Sequence, residues 1–252
     1  MEVHMSKVVI EDHDNFAIIR LNNGVTNAIS PALVEDLSAA VKQMEGQFHG
    51  VVLAGGDKFL SLGFDLPELL KLDRDGVKRF FYEFNQAAFN LFALPLPTAC
   101  AIAGHAIAGG TILSLTCDYR FAAEGKKLMG LNEVKLGVPV PYLADMILRQ
   151  IVGDRAATEM LYRGEFITAS EAGQINLVDE VLPQEKVEDR ALEKVAELAA
   201  LPRPAFEAIK ANRVEAIRIR FEENYKTKHE TFLDCWFTEQ SQELLVEAAK
   251  KF

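Results

Sequence analysis

Three short segments hold residues whose types and spacing could do chemistry. The first, AGGDKFLSLGFDL at 54–66, follows an apolar run and contains three glycines. Gly63 lets backbone approach a ligand where a side chain would block it, and the N–H of Leu62 could face that gap. The second, GHAIAGGTILSLTCDYR at 104–120, reads as strand, glycine turn and buried helix. N–H groups that open a helix have no partner within it, and Gly109 and Gly110 permit close approach. That is a recipe for an oxyanion hole or a phosphate site, and equally for tight helix–sheet packing. No Gly-Lys-Ser/Thr follows, so it is no Walker loop. The third, GLNEVKLGVPVP at 130–141, sets Glu133 among Leu131, Val134, Leu136 and Val138. An ionised carboxylate is costly in apolar surroundings, which would raise its pKa and suit general acid/base work. A surface glutamate beside Lys135 fits the same letters.

Other polar residues offer less. His105 adjoins a glycine turn but has no Ser–His–Asp order around it, and Ser61 and Ser114 have no evident activating base. His13, His49 and His229 stand in polar contexts and read as surface. Asp118 reads as a structural hydrogen-bond acceptor. The three cysteines, Cys100, Cys117 and Cys235, show no paired metal spacing, so no metal site is expected. An odd cysteine count without a leader-like N-terminus fits a reducing, cytoplasmic setting.

Around these segments, VVI at 8–10 and FAIIRL at 16–21 form a predicted hairpin across EDHDN. A helix is predicted from Ser30 as N-cap and Pro31 at its first position. GVVLAGG at 50–56 and TACAIAG at 98–104 read as buried strands, and 76–93 as an aromatic-rich helix. Strands alternating with helices imply α/β organisation. Beyond Pro141 the pattern is mainly helical, with a capping box at Thr168–Glu171 and a break at LPRP, 201–204. The formal charge of −10 argues against a nucleic-acid footprint. No apolar run reaches the length of a membrane span. An anionic ligand would need local cations and backbone N–H groups.

The three segments, in this order, resemble the enoyl-CoA hydratase/isomerase (crotonase) family over essentially the whole chain. KFLSLGFDL is similar to its F-S-A-G-x-D-L signature, and AIAGHAIAGGTILSLTCDYRFAA to its second. The resemblance implies a spiral of β-β-α units, with a core at 1–195 and a C-terminal helical region at 196–252 that builds trimers or dimers of trimers. It implies an acyl-CoA thioester substrate and no separate cofactor. It implies that the backbone N–H groups of Leu62 and Gly109 hold the thioester oxygen. Lys58, Phe59, Asp65 and Leu66 would flank the coenzyme A, and the tail of a neighbouring subunit, through Lys250 or Lys251, would meet its phosphates. Of the two glutamates of the family's hydratases, one place is taken by Ile112 and the other by Glu133. One carboxylate suffices for 3-enoyl to 2-trans-enoyl isomerisation. CDYR followed by GLNE is closer to the mitochondrial-type Δ3,Δ2-enoyl-CoA isomerases than to the hydratases. A hydratase, an enolate-forming decarboxylase or a non-catalytic acyl-CoA-binding protein are the alternatives. The phenylalanines 80, 81 and 84 are the expected wall of an acyl slot.

Overall fold

A computed structural model describes residues 6–250. Strands β1 (Val8–His13) and β2 (Phe16–Leu21) pair antiparallel, with His13 opposite Phe16. The turn uses only Asp14 and Asn15, both at positive φ (52° and 74°). Asn and Asp tolerate that conformation, so Glu11–His13 extend the strand where a longer loop was expected. Helix α1 (Pro31–Met44) starts as predicted: the Ser30 hydroxyl accepts the Leu33 N–H at 3.2 Å.

From there the chain winds as a spiral. Each turn lays one strand in a large sheet, one in a small sheet, and then a helix. β3 (Gly50–Ala54) and β4 (Phe59–Ser61) precede α2 (Leu66–Leu69) and α3 (Arg74–Ala93). β5 (Thr98–Ile102) and β6 (His105–Ile107) precede α4 (Gly109–Leu115). β7 (Tyr119–Ala123) and β8 (Leu128–Gly130) precede a 3-10 turn at Glu133–Leu136 and α5 (Tyr142–Arg163). β9 (Ile167–Thr168), α6 (Ala169–Gln174) and β10 (Glu180–Leu182) complete it. The large sheet runs β1-β2-β3-β5-β7-β10 and the small one β4-β6-β8-β9. Thr168 caps α6 in the expected capping box.

Strands β3 and β5 are buried along their whole length because both faces of the large sheet are covered. Val51, Leu53, Cys100 and Ile102 face the main core with α1 and α3. The alternate residues Val52, Ala54, Ala99 and Ala101 meet Val187, Ala191 and Val195 of α7 (Val187–Ala199). Residue 195 therefore lies inside a helix that belongs to the sheet, and the chain breaks only at 200–202.

Two C-terminal helices follow, α8 (Arg203–Trp236) and α9 (Glu239–Ala249). They fold back onto the chain's own core. Phe232 and Trp236 lie 4.3 and 5.4 Å from Phe81 between ring centroids. At roughly 1.5–3 kcal/mol per fully buried large apolar side chain, these rings hold the tail down firmly. His229 is buried, not surface: its ring meets the Tyr225 hydroxyl at 3.2 Å and the Lys78 carbonyl at 3.1 Å. The polar letters around it mark the outer face of a helix whose inner face it shares. Among the described residues no helix is long and apolar enough to cross a membrane.

Candidate active site

The first glycine segment lies beside residues 26–29. The Ile29 N–H donates to the Gly63 carbonyl at 2.8 Å, and the Asp65 N–H to the Ile29 carbonyl at 3.0 Å. The Leu62 N–H donates to the Thr26 carbonyl at 2.8 Å, and the Gly63 N–H to the Ser61 hydroxyl at 3.1 Å. The expectation for Leu62 is thus corrected: its N–H is already committed to the backbone. In a bridged parallel pair, the residue between the two bonded groups turns its own N–H the other way. Here that residue is Phe64, whose N–H has no acceptor among the described residues. Gly63 sits at φ 105°, and this turn separates the two directions.

The second segment leaves β6 through Ala108, whose N–H donates to the Gly130 carbonyl at 2.8 Å. Ala108 has φ 46° and ψ −111°, a conformation that glycine adopts far more easily. Gly109 then opens α4 with no side-chain cap, and its N–H has no acceptor among the described residues. A Cβ on Gly109 would lie 2.8 Å from Ile29 Cδ1 and 3.3 Å from Phe64 Cε1. A Cβ on Gly63 would lie 3.5 Å from the Gly109 nitrogen. The two loops are therefore in contact, and a side chain at Gly109 would force Ile29 and Phe64 to shift. Ile112 points into the main core and does not line the cavity described next.

Glu133 comes from the turn after β8. The residue is 3% exposed, and neither carboxylate oxygen has a side-chain hydrogen-bond partner among the described residues. Burial pushes its pKa up to about 7. An orphaned buried carboxylate is rare, because leaving such a group unpaired is costly. The turn that carries it is anchored from outside. Gly137 ends it at φ 76°, and the Ser241 hydroxyl of α9 donates to the Gly137 carbonyl at 2.9 Å.

Glu133 faces a cavity of about 180 Å³, lined also by Leu62, Phe64, Ala108, Phe81 and Trp236. Among the described residues it is the only titratable one in that lining. Of the expected phenylalanine wall, Phe81 lines the cavity. Phe80 and Phe84 stand behind Phe64, with centroids 5.7 and 4.9 Å from its ring.

The other candidates are dispersed. Leu66 lines the cavity. Asp65 caps α2, accepting the Glu68 N–H at 3.0 Å. Lys58 and Phe59 open β4 next to His105: the Lys58 carbonyl accepts the His105 N–H at 2.9 Å, and the rings of Phe59 and His105 are 5.3 Å apart. His105 Nδ1 accepts the Leu128 N–H at 3.0 Å, and burial with Lys127 and Lys58 nearby lowers its pKa. It does not line the cavity. Lys250 ends α9 and pairs with Glu247, and Lys251 lies outside the described residues. The sequence reading missed Phe64, Asn132, Trp236 and Ser241. The Phe64 N–H leaves no trace in residue type, whereas the LGFDL string at least marked its neighbourhood.

The model of the enoyl-CoA hydratase/isomerase family matches residues 11–251. Human mitochondrial enoyl-CoA delta isomerase 1 is 31% identical over 199 residues, 77% of this chain and 66% of that protein. The crystal structure of human mitochondrial delta3-delta2-enoyl-CoA isomerase superposes with a TM-score of 0.92 at 27% identity, covering 97% of each chain. An enoyl-CoA hydratase from Bacillus anthracis superposes with a TM-score of 0.79 at 28% identity, covering 97% of this chain and 96% of that one. The chain belongs to the enoyl-CoA hydratase/isomerase (crotonase) family of enzymes and has that family's spiral fold with a C-terminal helical region.

Proposed function

We propose that this enzyme converts a 3-enoyl-CoA to the 2-trans-enoyl-CoA, with Glu133 as its single acid/base group. The observation that carries the reading is the buried, unpartnered Glu133 carboxylate, alone among apolar neighbours and one amide, Asn132. Likeness to the human isomerase supports the same choice. Hydration calls for polar groups that hold and activate a water at C3, and the second carboxylate position is an Ile112 turned into the core.

In this mechanism the thioester oxygen accepts the Phe64 and Gly109 N–H groups. Glu133 takes the proton from C2, and the electron pair left there delocalises onto the thioester oxygen as a dienolate. The two N–H groups stabilise that charge as it develops. Glu133 then returns the proton at C4, so the double bond moves from C3–C4 to C2–C3 and the mass is unchanged. A pKa near 7 lets one residue serve as base and then as acid. Lys58, Phe59 and Leu66 flank the route for the coenzyme A moiety, and homotrimers are the assembly that goes with this fold.

The test is product analysis after incubation with 3-cis-hexenoyl-CoA in deuterated water. The expected product is the 2-trans isomer, with deuterium at C4 or exchanged at C2. A 3-hydroxyacyl product would overturn the isomerase reading in favour of hydration.

A further inference from the structure

The cavity in front of Glu133 is an apolar pouch, and one side of it is made by the chain's own C-terminal helices. A series of rings leads inward from the loop contact. The Phe64 ring is within 3.3 Å of where a Gly109 Cβ would stand. Its centroid is 5.0 Å from that of Phe81. Phe81 in turn lies 4.3 Å from Phe232 and 5.4 Å from Trp236. Phe81 and Trp236 are 1% and 2% exposed, so the rings on this side are packed into the protein interior. Leu245 and Ala248 of α9 line the same space. Every lining side chain except Asn132 and Glu133 is hydrophobic. Among the described residues no other polar side chain lines this space.

We propose that this pouch admits only short acyl chains and that Trp236 is the residue setting the limit. The proposal rests on the acyl-thioester reading of the site. Size supports it. An apolar cavity of about 150 Å³ holds one benzene molecule. The 180 Å³ here then accommodates roughly six to eight carbons, thioester carbon included. A longer chain running toward the C-terminal helices meets the packed rings of Phe81, Phe232 and Trp236. It must displace the Trp236 ring, which packs against Phe81 and Phe232, or lift α9, which is held through Ser241 to the turn that carries Glu133. Close-packed interiors accommodate such insertion poorly. Lifting α9 would also loosen the Glu133 turn, so long chains would bind at the expense of the acid/base geometry.

The test uses saturated acyl-CoAs from butyryl to dodecanoyl, which have no double bond to move, and measures their binding to the full chain by calorimetry. In the wild type, affinity should rise about fourfold per added methylene while the pouch fills and stop rising near eight carbons. Trp236→Ala should move that break roughly two to three carbons longer. Ala248→Phe, which fills the pouch from the α9 side, should move it shorter. Melting curves check that each variant is folded, and the second variant keeps the test decisive where the first fails to fold. Affinity that climbs steadily through dodecanoyl in the wild type overturns the proposal. So does a break that stays in place in the folded variants. Failure to isomerise 3-enoyl-CoA would leave the binding series readable, whereas no binding by any member of the series would sink the thioester reading together with the proposal.

Discussion

Two carboxylates in this molecule are almost equally hidden and live opposite lives. Asp118, at the start of β7, has a side chain 10% exposed. It meets Lys210 Nζ at 2.8 Å, accepts the Thr98 N–H and hydroxyl at 2.9 Å each, and pairs with Arg213. Lys210 also donates to the Leu96 carbonyl at 2.6 Å, so the cluster ties α8 to the sheet. Glu133 has a cavity in front of it and no hydrogen-bond partner among the described residues. Burial alone does not separate structure from function. What separates them is whether the hydrogen-bonding capacity is used up. A satisfied buried charge fixes a fold; an unsatisfied one keeps its capacity for a ligand.

The comparison breaks most visibly at Glu133. Glu133→Gln should cut turnover by about 10²–10⁴-fold while acyl-CoA still binds, since the change removes the proton acceptor and keeps the shape. Below pH 7 the wild-type kcat/KM should fall about tenfold per unit as the carboxylate takes up its proton. Activity that survives Glu133→Gln would mean the chemistry lies elsewhere.

Asp118→Ala should instead cost about 3–5 kcal/mol of stability in denaturant titrations, because it strands the buried Lys210 ammonium. Turnover per folded molecule should change only a few-fold. A large loss of turnover in fully folded protein would erase the distinction between the two acids.

A smaller effect sharpens it through pH. Below about 4.5 the Glu133 carboxyl is protonated whether the chain is folded or not. Between about 4.5 and about 7 the unfolded chain releases the proton while the folded one keeps it, so stability falls as pH rises. Glu133→Gln lacks this loss. Its stability relative to wild type should therefore grow by about 2.5 kcal/mol between pH 5 and pH 8, read from melting curves across that range. No such trend should accompany a neutral control substitution on the surface.

The smallest expected change is at Ala108. Its φ of 46° with ψ −111° carries about 1–3 kcal/mol of strain, offset by about 0.5–1 kcal/mol of extra chain entropy in a glycine replacement. Ala108→Gly should stabilise the protein by about 1 kcal/mol in equilibrium unfolding. Destabilisation would show that the alanine methyl packs the cavity wall more than it strains the loop.

Much of the scaffold was legible because local chemistry dictates it. Ser30–Pro31 and the Thr168–Glu171 box mark helix starts by side-chain capping, and both appear where expected. Short continuous apolar runs marked β3 and β5 as buried strands, FAIIRL read as one arm of a hairpin, and Glu133 stood out as an acid among aliphatic residues. The His229 reading failed because a helix shows two faces to one stretch of sequence, and only packing decides which is inside. The Leu62 reading failed because an N–H group belongs to every residue but proline. Its direction depends on neighbouring dihedrals and on a partner at Thr26, far away along the chain.

By itself the sequence determined the family, the alternation of strands and helices, the glycines that let two loops touch, and the presence of one candidate acid. Those properties follow from side-chain volume, periodicity and capping, which act over a few residues. Tertiary structure decided that Phe64 and not Leu62 keeps a free N–H. It decided that Glu133 is orphaned while Asp118 is satisfied, and that the chain's own α8 and α9 make one side of the pouch. Each of these depends on which distant groups meet: hydrogen-bond satisfaction and cavity shape are properties of contacts, and contacts are made only when the chain has folded.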